Sequence, residues 1–148
     1  MMDAAFAQAL ENAIRPVGRY IAHERKDFST SAVETKSLNA LVSYVDQEAE
    51  KQLVEALHEL LPEAGFLAEE GSGAPSPDGN WDWVVDPLDG TTNFIHGFPV
   101  YCVSIALAVH GKVEQAVVYD PSRNDLFTAT KGRGAYMNDR RLRTSKRT

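Results

Sequence analysis

The 148-residue sequence contains one cysteine, four scattered histidines and no apolar run longer than residues 98–109. A lone Cys102 excludes an internal disulfide framework. Inside that apolar run it reads as a small buried hydrophobe rather than a nucleophile. No Cys or His falls at zinc-ligand spacing, which excludes a Cys/His metal centre. The run at 98–109 is too short to span a bilayer and is interrupted by Ser104, so no membrane partner is expected. The N-terminus is acidic and amphipathic, without a basic flank and apolar core, and reads as carrying no export signal. With so little cysteine, the expected location is cytoplasmic. Repeats and heptads are also missing.

What is there suits one ordinary globular domain, long enough for a real core. The net charge of −6 is unevenly spread: Arg140, Arg141, Arg143, Lys146 and Arg147 supply +5, leaving −11 on residues 1–139. A basic tail can meet nucleic acid, but this one is short and has no aromatics. It reads as a solvated strand end, and no nucleic-acid partner is expected.

Phe6, Leu10, Ala13, Ile14, Val17 and Ile21 recur at helical spacing over residues 3 to about 25, with Pro16 expected to kink or split the helix. Polar residues 26–39 read as a loop. A second helix follows, with Ala49, Leu53, Leu57, Leu60 and Leu61 on one face and Pro62 ending it. Ser43 and Asp46 have the spacing of a capping box near its start. Residues 65–68 form a short strand delivering Glu69 and Glu70. Residues 71–80, rich in Gly, Ser and Pro, read as a flexible loop. Residues 100–109 look like a strand buried on both faces. Turns at 110–112, 120–124 and 131–134 then separate strands at 113–119, 126–130 and 135–137, with a last one near Leu142. The class is α+β: two N-terminal helices packed on a largely antiparallel sheet.

The chemistry concentrates at residues 81–94, Trp-Asp-Trp-Val-Val-Asp-Pro-Leu-Asp-Gly-Thr-Thr-Asn-Phe. Trp81, Trp83 and Val85 alternate with Asp82, Val84 and Asp86, so this opens as a strand that Asp86 closes. Asp89 stands three residues on, and Gly90 lets backbone approach a ligand. Asp89 also has the character of an N-cap for a short helix at 91–96, stopped by Gly97. Two carboxylates at a strand mouth are costly unless a cation lies between them. A helix start beside them offers N–H groups to an anion. Together they suggest metal-assisted phosphate chemistry. Asp-Pro and Asp-Gly are also common turn dipeptides, and spacing alone leaves a plain turn open.

The string from Asp86 to Phe94, with Ala68-Glu69-Glu70-Gly71 upstream, resembles the signature of the inositol monophosphatase family, the lithium-sensitive, magnesium-dependent phosphatases. The resemblance runs over nearly the whole chain. It implies that Mg2+ is held by Glu69, Asp86, Asp89 and the carbonyl of Leu88. It further implies that Glu69 and Thr91 handle a nucleophilic water and that Asp46 backs Thr91. The Gly90 and Thr91 amides would hold the phosphate, and Asp89 would touch a substrate hydroxyl. Lys36 matches a family lysine preceding the second helix, and a mobile loop at 71–80 would reach over the site. No covalent intermediate is implied.

Thr92-Asn93 after Asp-Gly-Thr matches the inositol-type members. A small phosphorylated polyol or sugar is therefore the implied partner, with myo-inositol monophosphate the default and a nucleotide or sugar bisphosphate the alternative. Members are homodimeric, so a homo-oligomer is implied. They are also nearly twice as long, with an αβαβα sandwich of which residues 1–148 resemble the N-terminal portion. The C-terminal half carries a further Trp-Asp aspartate. The expectation is a fragment, a truncated product, or a half completed by another chain, without activity alone. The competing reading is a non-catalytic assembly module that pairs through an uncovered sheet face.

Overall fold

The computed structural model describes residues 3–30 and 35–147. Helices α1 (Ala4–Thr30) and α2 (Thr35–Leu60) precede strands β1 (Gly65–Ala68) and β2 (Trp81–Asp89). The short helix α3 (Thr91–Ile95) leads to β3 (Cys102–Val109), β4 (Lys112–Asp120), β5 (Asp125–Thr130), β6 (Gly134–Met137) and β7 (Arg140–Arg141). The seven strands lie side by side in chain order. β1 runs parallel to β2, and every later pair is antiparallel. The fold is α+β, as the periodicities indicate.

α1 is longer than its apolar pattern and continues through Pro16 without being split. Proline there forfeits one backbone bond, a cost of about 3 kcal/mol. Pro16 is exposed, while Leu10, Ile14, Val17 and Ile21 are essentially fully buried around it. Packing of that stripe holds the helix through the defect. The stretch read as a loop at 26–39 is largely helical too, since α1 runs to Thr30 and α2 starts at Thr35. Apolar periodicity reports burial, and a polar helix end carries none. Ser43 and Asp46 therefore lie well inside α2 and form no capping box.

Both helices cover one face of the sheet. Trp83 and Val85 of β2, Val103, Ile105 and Leu107 of β3, and Val117 and Tyr119 of β4 share one buried cluster with Leu10, Ile14, Leu53 and Leu57. Phe6 stacks on Trp83 with centroids 6.2 Å apart and planes 4° from parallel. The opposite face has no covering layer among the described residues. Leu67, Val84 and Val113 are exposed there, and Cys102, Ser104 and Ala106 are half-buried. Residues 100–109 are thus not buried on both faces. The strand begins at Cys102, with Phe98 and Val100 exposed before it, and its burial alternates. Its even side chains are small enough to look apolar without being covered. Cys102 is accordingly half-buried on the open side, rather than a core residue.

β2 does not close at Asp86 but continues through Pro87 to Asp89. Its pairing with β3 shifts between Asp86 and Asp89, which face Ser104 and Cys102. Pro87 lacks the N–H a regular ladder needs, and the bulge absorbs that loss. The loop at 71–80 is tied down: Phe66 N–H donates to the Ala74 carbonyl at 2.8 Å, and Ser76 N–H to Asp82 Oδ1 at 2.6 Å. The first pairs a β1 amide with the loop and the second ties the loop to β2, so glycine and proline content here marks a close approach as much as freedom.

Candidate active site

Three elements bring the acidic residues together. On α2, Asp46 and Glu50 stand one turn apart on the face turned to the sheet, 7% and 0% exposed. β1 ends at Ala68, paired with Val85, so Glu69 follows directly beside Asp86. The Glu69 and Asp86 carboxyl groups lie close enough to raise the pKa of Asp86, and Asp89 lies within electrostatic reach of Asp86. Asp46 faces Glu70, Asp86, Glu69 and Glu50.

The charge balance is unfavourable as it stands. Burial, and then the carboxylates of Glu70, Asp86, Glu69 and Glu50, push Asp46 from 3.8 up to about 7. Asp86 also rises to about 7, chiefly through burial, then through the neighbouring Glu69 carboxyl and the charge of Asp89; the Leu88 N–H opposes this. Asp46 Oδ1 is buried without a hydrogen-bond partner among the described residues. An orphaned carboxylate oxygen within a set of hard oxygen donors suits Mg2+ in chemistry. Among the described residues no three such side chains are close enough to enclose an ion already.

The bulge and the turn after it set the rest. Asp86 Oδ1 accepts the Leu88 N–H at 3.2 Å, and Thr91 Oγ1 donates to the Leu88 carbonyl at 3.1 Å. Gly90 has φ 95°, and a Cβ there would lie 2.9 Å from the Val100 carbonyl oxygen. Glycine is required on both counts. Gly90, and not Asp89, is the N-cap of α3, and no side chain caps it. The exposed Asp89 is directed elsewhere: the Cys102 thiol donates to its Oδ2 at 3.9 Å. The first bond of α3 runs from Phe94 N–H to the Gly90 carbonyl. The N–H of Thr91 therefore has no partner within the helix. Beside Asp89 an open depression of about 310 Å³, lined by Asn93, Tyr101, Cys102 and Asp120, faces the uncovered side of the sheet.

Asp46, Glu69, Asp86, Leu88, Asp89, Gly90 and Thr91 thus lie near the junction of α2, the end of β1 and the end of β2. The hydrogen bond expected between Thr91 and Asp46 is replaced by that from Thr91 to Leu88. Lys36 falls in the first turn of α2 rather than before the helix, and its side chain lies outside the described residues. Glu50 was missed. Its signal was present, as an acid on the apolar stripe of α2 between Ala49 and Leu53.

A sequence profile described as the Inositol monophosphatase family matches residues 2–148. The inositol-1-monophosphatase of Rhizobium meliloti (strain 1021) is 40% identical over 147 residues, 99% of this chain and 55% of that protein. The Nus factor SuhB of Pasteurella multocida (strain Pm70) is 44% identical over 133 residues, 88% of this chain and 49% of that protein. Among solved structures, the extragenic suppressor protein suhB of Bartonella henselae superposes with a TM-score of 0.84 at 38% identity, covering 97% of this chain and 56% of that one. The chain spans about half the length of the relatives it matches.

Proposed function

The chain belongs to the inositol monophosphatase family, and on that premise we propose that it supplies the metal-binding and water-activating half of a phosphomonoesterase. The substrate is a small polyol or sugar phosphate, myo-inositol monophosphate first. The observation that carries this reading is the gathering of Asp46, Glu69 and Asp86, with Asp89 beside them, where burial and like charge push two of the acids to about 7. Such a cluster is stabilised by a divalent cation.

Glu69, Asp86, Asp89 and the Leu88 carbonyl would hold Mg2+. A carbonyl oxygen has two lone pairs, so Leu88 can accept from Thr91 and face a cation together. Bound there, the ion supplies charge neutralisation and an acidified water. The protein's own groups do the rest. The Thr91 hydroxyl would keep its proton, shared between the Leu88 carbonyl and the partnerless Oδ1 of Asp46, and would accept a hydrogen bond from the attacking water. Glu69 takes the proton the water loses. The N–H groups of Gly90 and Thr91 orient the phosphate, and Asp89 accepts from a substrate hydroxyl. Water attacks phosphorus directly, without an enzyme-bound ester; the P–O bond to the polyol breaks, and the departing alkoxide takes a proton from solvent water.

A second reading, assembly without catalysis, is favoured by the uncovered apolar sheet face and by similarity to a protein named as a Nus factor. Phosphate release from inositol 1-phosphate separates the two. The chain alone is expected to be inactive. Fused to the part of the Rhizobium meliloti relative beyond the matched region, it is expected to show Mg2+-dependent turnover. A folded fusion without turnover would remove the catalytic reading and leave assembly.

A further inference from the structure

Glu50 is wholly buried, yet both of its carboxylate oxygens are used. Oε2 accepts the Glu70 N–H at 2.7 Å, and Oε1 accepts the Ser72 N–H at 2.8 Å. The intervening amides are also bonded: Glu69 N–H to the Val85 carbonyl and Gly71 N–H to the Ala68 carbonyl, each at 3.1 Å. The four amides from 69 to 72 therefore all donate inward, two to the sheet and two to one α2 side chain. Gly71, at φ 85°, lets the chain reverse between the two Glu50 contacts. The consequence is that Glu69 has a fixed backbone and an exposed side chain. Placing an acid of this length among Leu53, Ala49 and the sheet is expensive unless its oxygens are satisfied, and here two N–H donors satisfy them.

We infer that Glu50 is a positioning residue: it clamps the turn at 69–72 to α2 so that the Glu69 carboxylate meets Asp86 and Asp46. Asp46 lies one turn away on the same helix, so a single rigid element sets both acids. This inference rests on the metal-site reading above, and the chain can be tested without turnover.

Glu50→Gln keeps size and shape but offers an NH2 group to one of the two N–H donors, so one bond is lost. Amide hydrogen exchange in that variant should quicken at Glu70 or Ser72 and spread to Glu69, while α1 and β3–β5 keep their protection. Mn2+, titrated by its effect on water proton relaxation, should bind about tenfold more weakly, the scale for loss of a group that orients a ligand. In a Glu69→Ala background the same change should have little further effect on Mn2+ affinity, because Glu50 acts through Glu69. A purely structural role would instead weaken binding equally in both backgrounds, and that result overturns the inference. Unchanged exchange at Glu69 also overturns it. If the wild-type chain binds no Mn2+, the metal-site reading fails, while the exchange at Glu69 still decides whether Glu50 holds the turn.

Discussion

Thr91 Oγ1 donates to the carbonyl of Leu88 at 3.1 Å, across the step where β2 ends and α3 begins. The bond ties the proposed water-activating hydroxyl to a proposed metal-binding carbonyl, so one substitution probes both. Thr91→Val removes the hydroxyl with little change of shape. A neutral hydrogen bond contributes about 1 kcal/mol net, so the melting temperature should fall only slightly. Turnover of the fused, full-length form should fall at least about a hundredfold, the scale of one lost electrostatic stabiliser. Thr91→Ser should keep most of it. Equal activity in the valine and serine variants would remove Thr91 from the chemistry.

Asp89→Asn isolates charge from structure. Because Gly90 caps α3 and Asp89 is exposed, no cap is lost and thermal stability should be unchanged. Divalent-ion affinity and turnover should both drop, turnover again by about a hundredfold. Near-normal kinetics would return Asp89 to the plain Asp-Gly turn.

The helix cores and the antiparallel meander after β2 were legible because each rests on a local signal, whereas the acidic junction was expected from the motif resemblance. Period-two and period-3.6 patterns gave the elements, and the motif residues fall next to one another once β1 pairs with β2 in parallel. What was not legible depended on neighbours. Pro16 looks like a break until the buried stripe beneath it is seen. Asp89 looks like a cap until Gly90 is found in the left-handed region. Cys102 and Ala106 look like core, though no second layer among the described residues covers them. Glu50 escaped because a buried acid is explained only by the turn it grips, twenty residues away.

The open sheet face carries its own expectation. Leu67, Val84 and Val113 are 49%, 41% and 54% exposed on it, and a depression lined by Val118, Phe127 and Tyr136 lies beside them. Contiguous apolar surface of this kind binds hydrophobic dyes. The isolated chain should therefore enhance 8-anilinonaphthalene-1-sulfonate fluorescence while keeping native-like chemical-shift dispersion. Val84→Lys should reduce that signal without loss of stability. A dye-silent wild-type chain would mean that the face is covered in solution.

Acidity links the cluster to stability. Asp46 and Asp86 are held at about 7 against an ordinary 3.8, chiefly by burial, so the folded state binds their protons more tightly than the unfolded chain. The stability this provides is complete below the unfolded value and is lost as pH rises through the folded one. Without divalent ion, the melting temperature should fall between about pH 4 and about pH 7 and level off above that. Asp46→Asn should flatten that slope, which ties it to the acidic cluster. A cation competes with the same protons, so saturating Mg2+ should raise the melting temperature more at the alkaline end than at the acid end. Melts across this range in EDTA and in Mg2+ provide the check. A chain that gains stability with rising pH in EDTA, or an Asp46→Asn variant with an unchanged slope, would show that these acids do not share a strained, cation-seeking site.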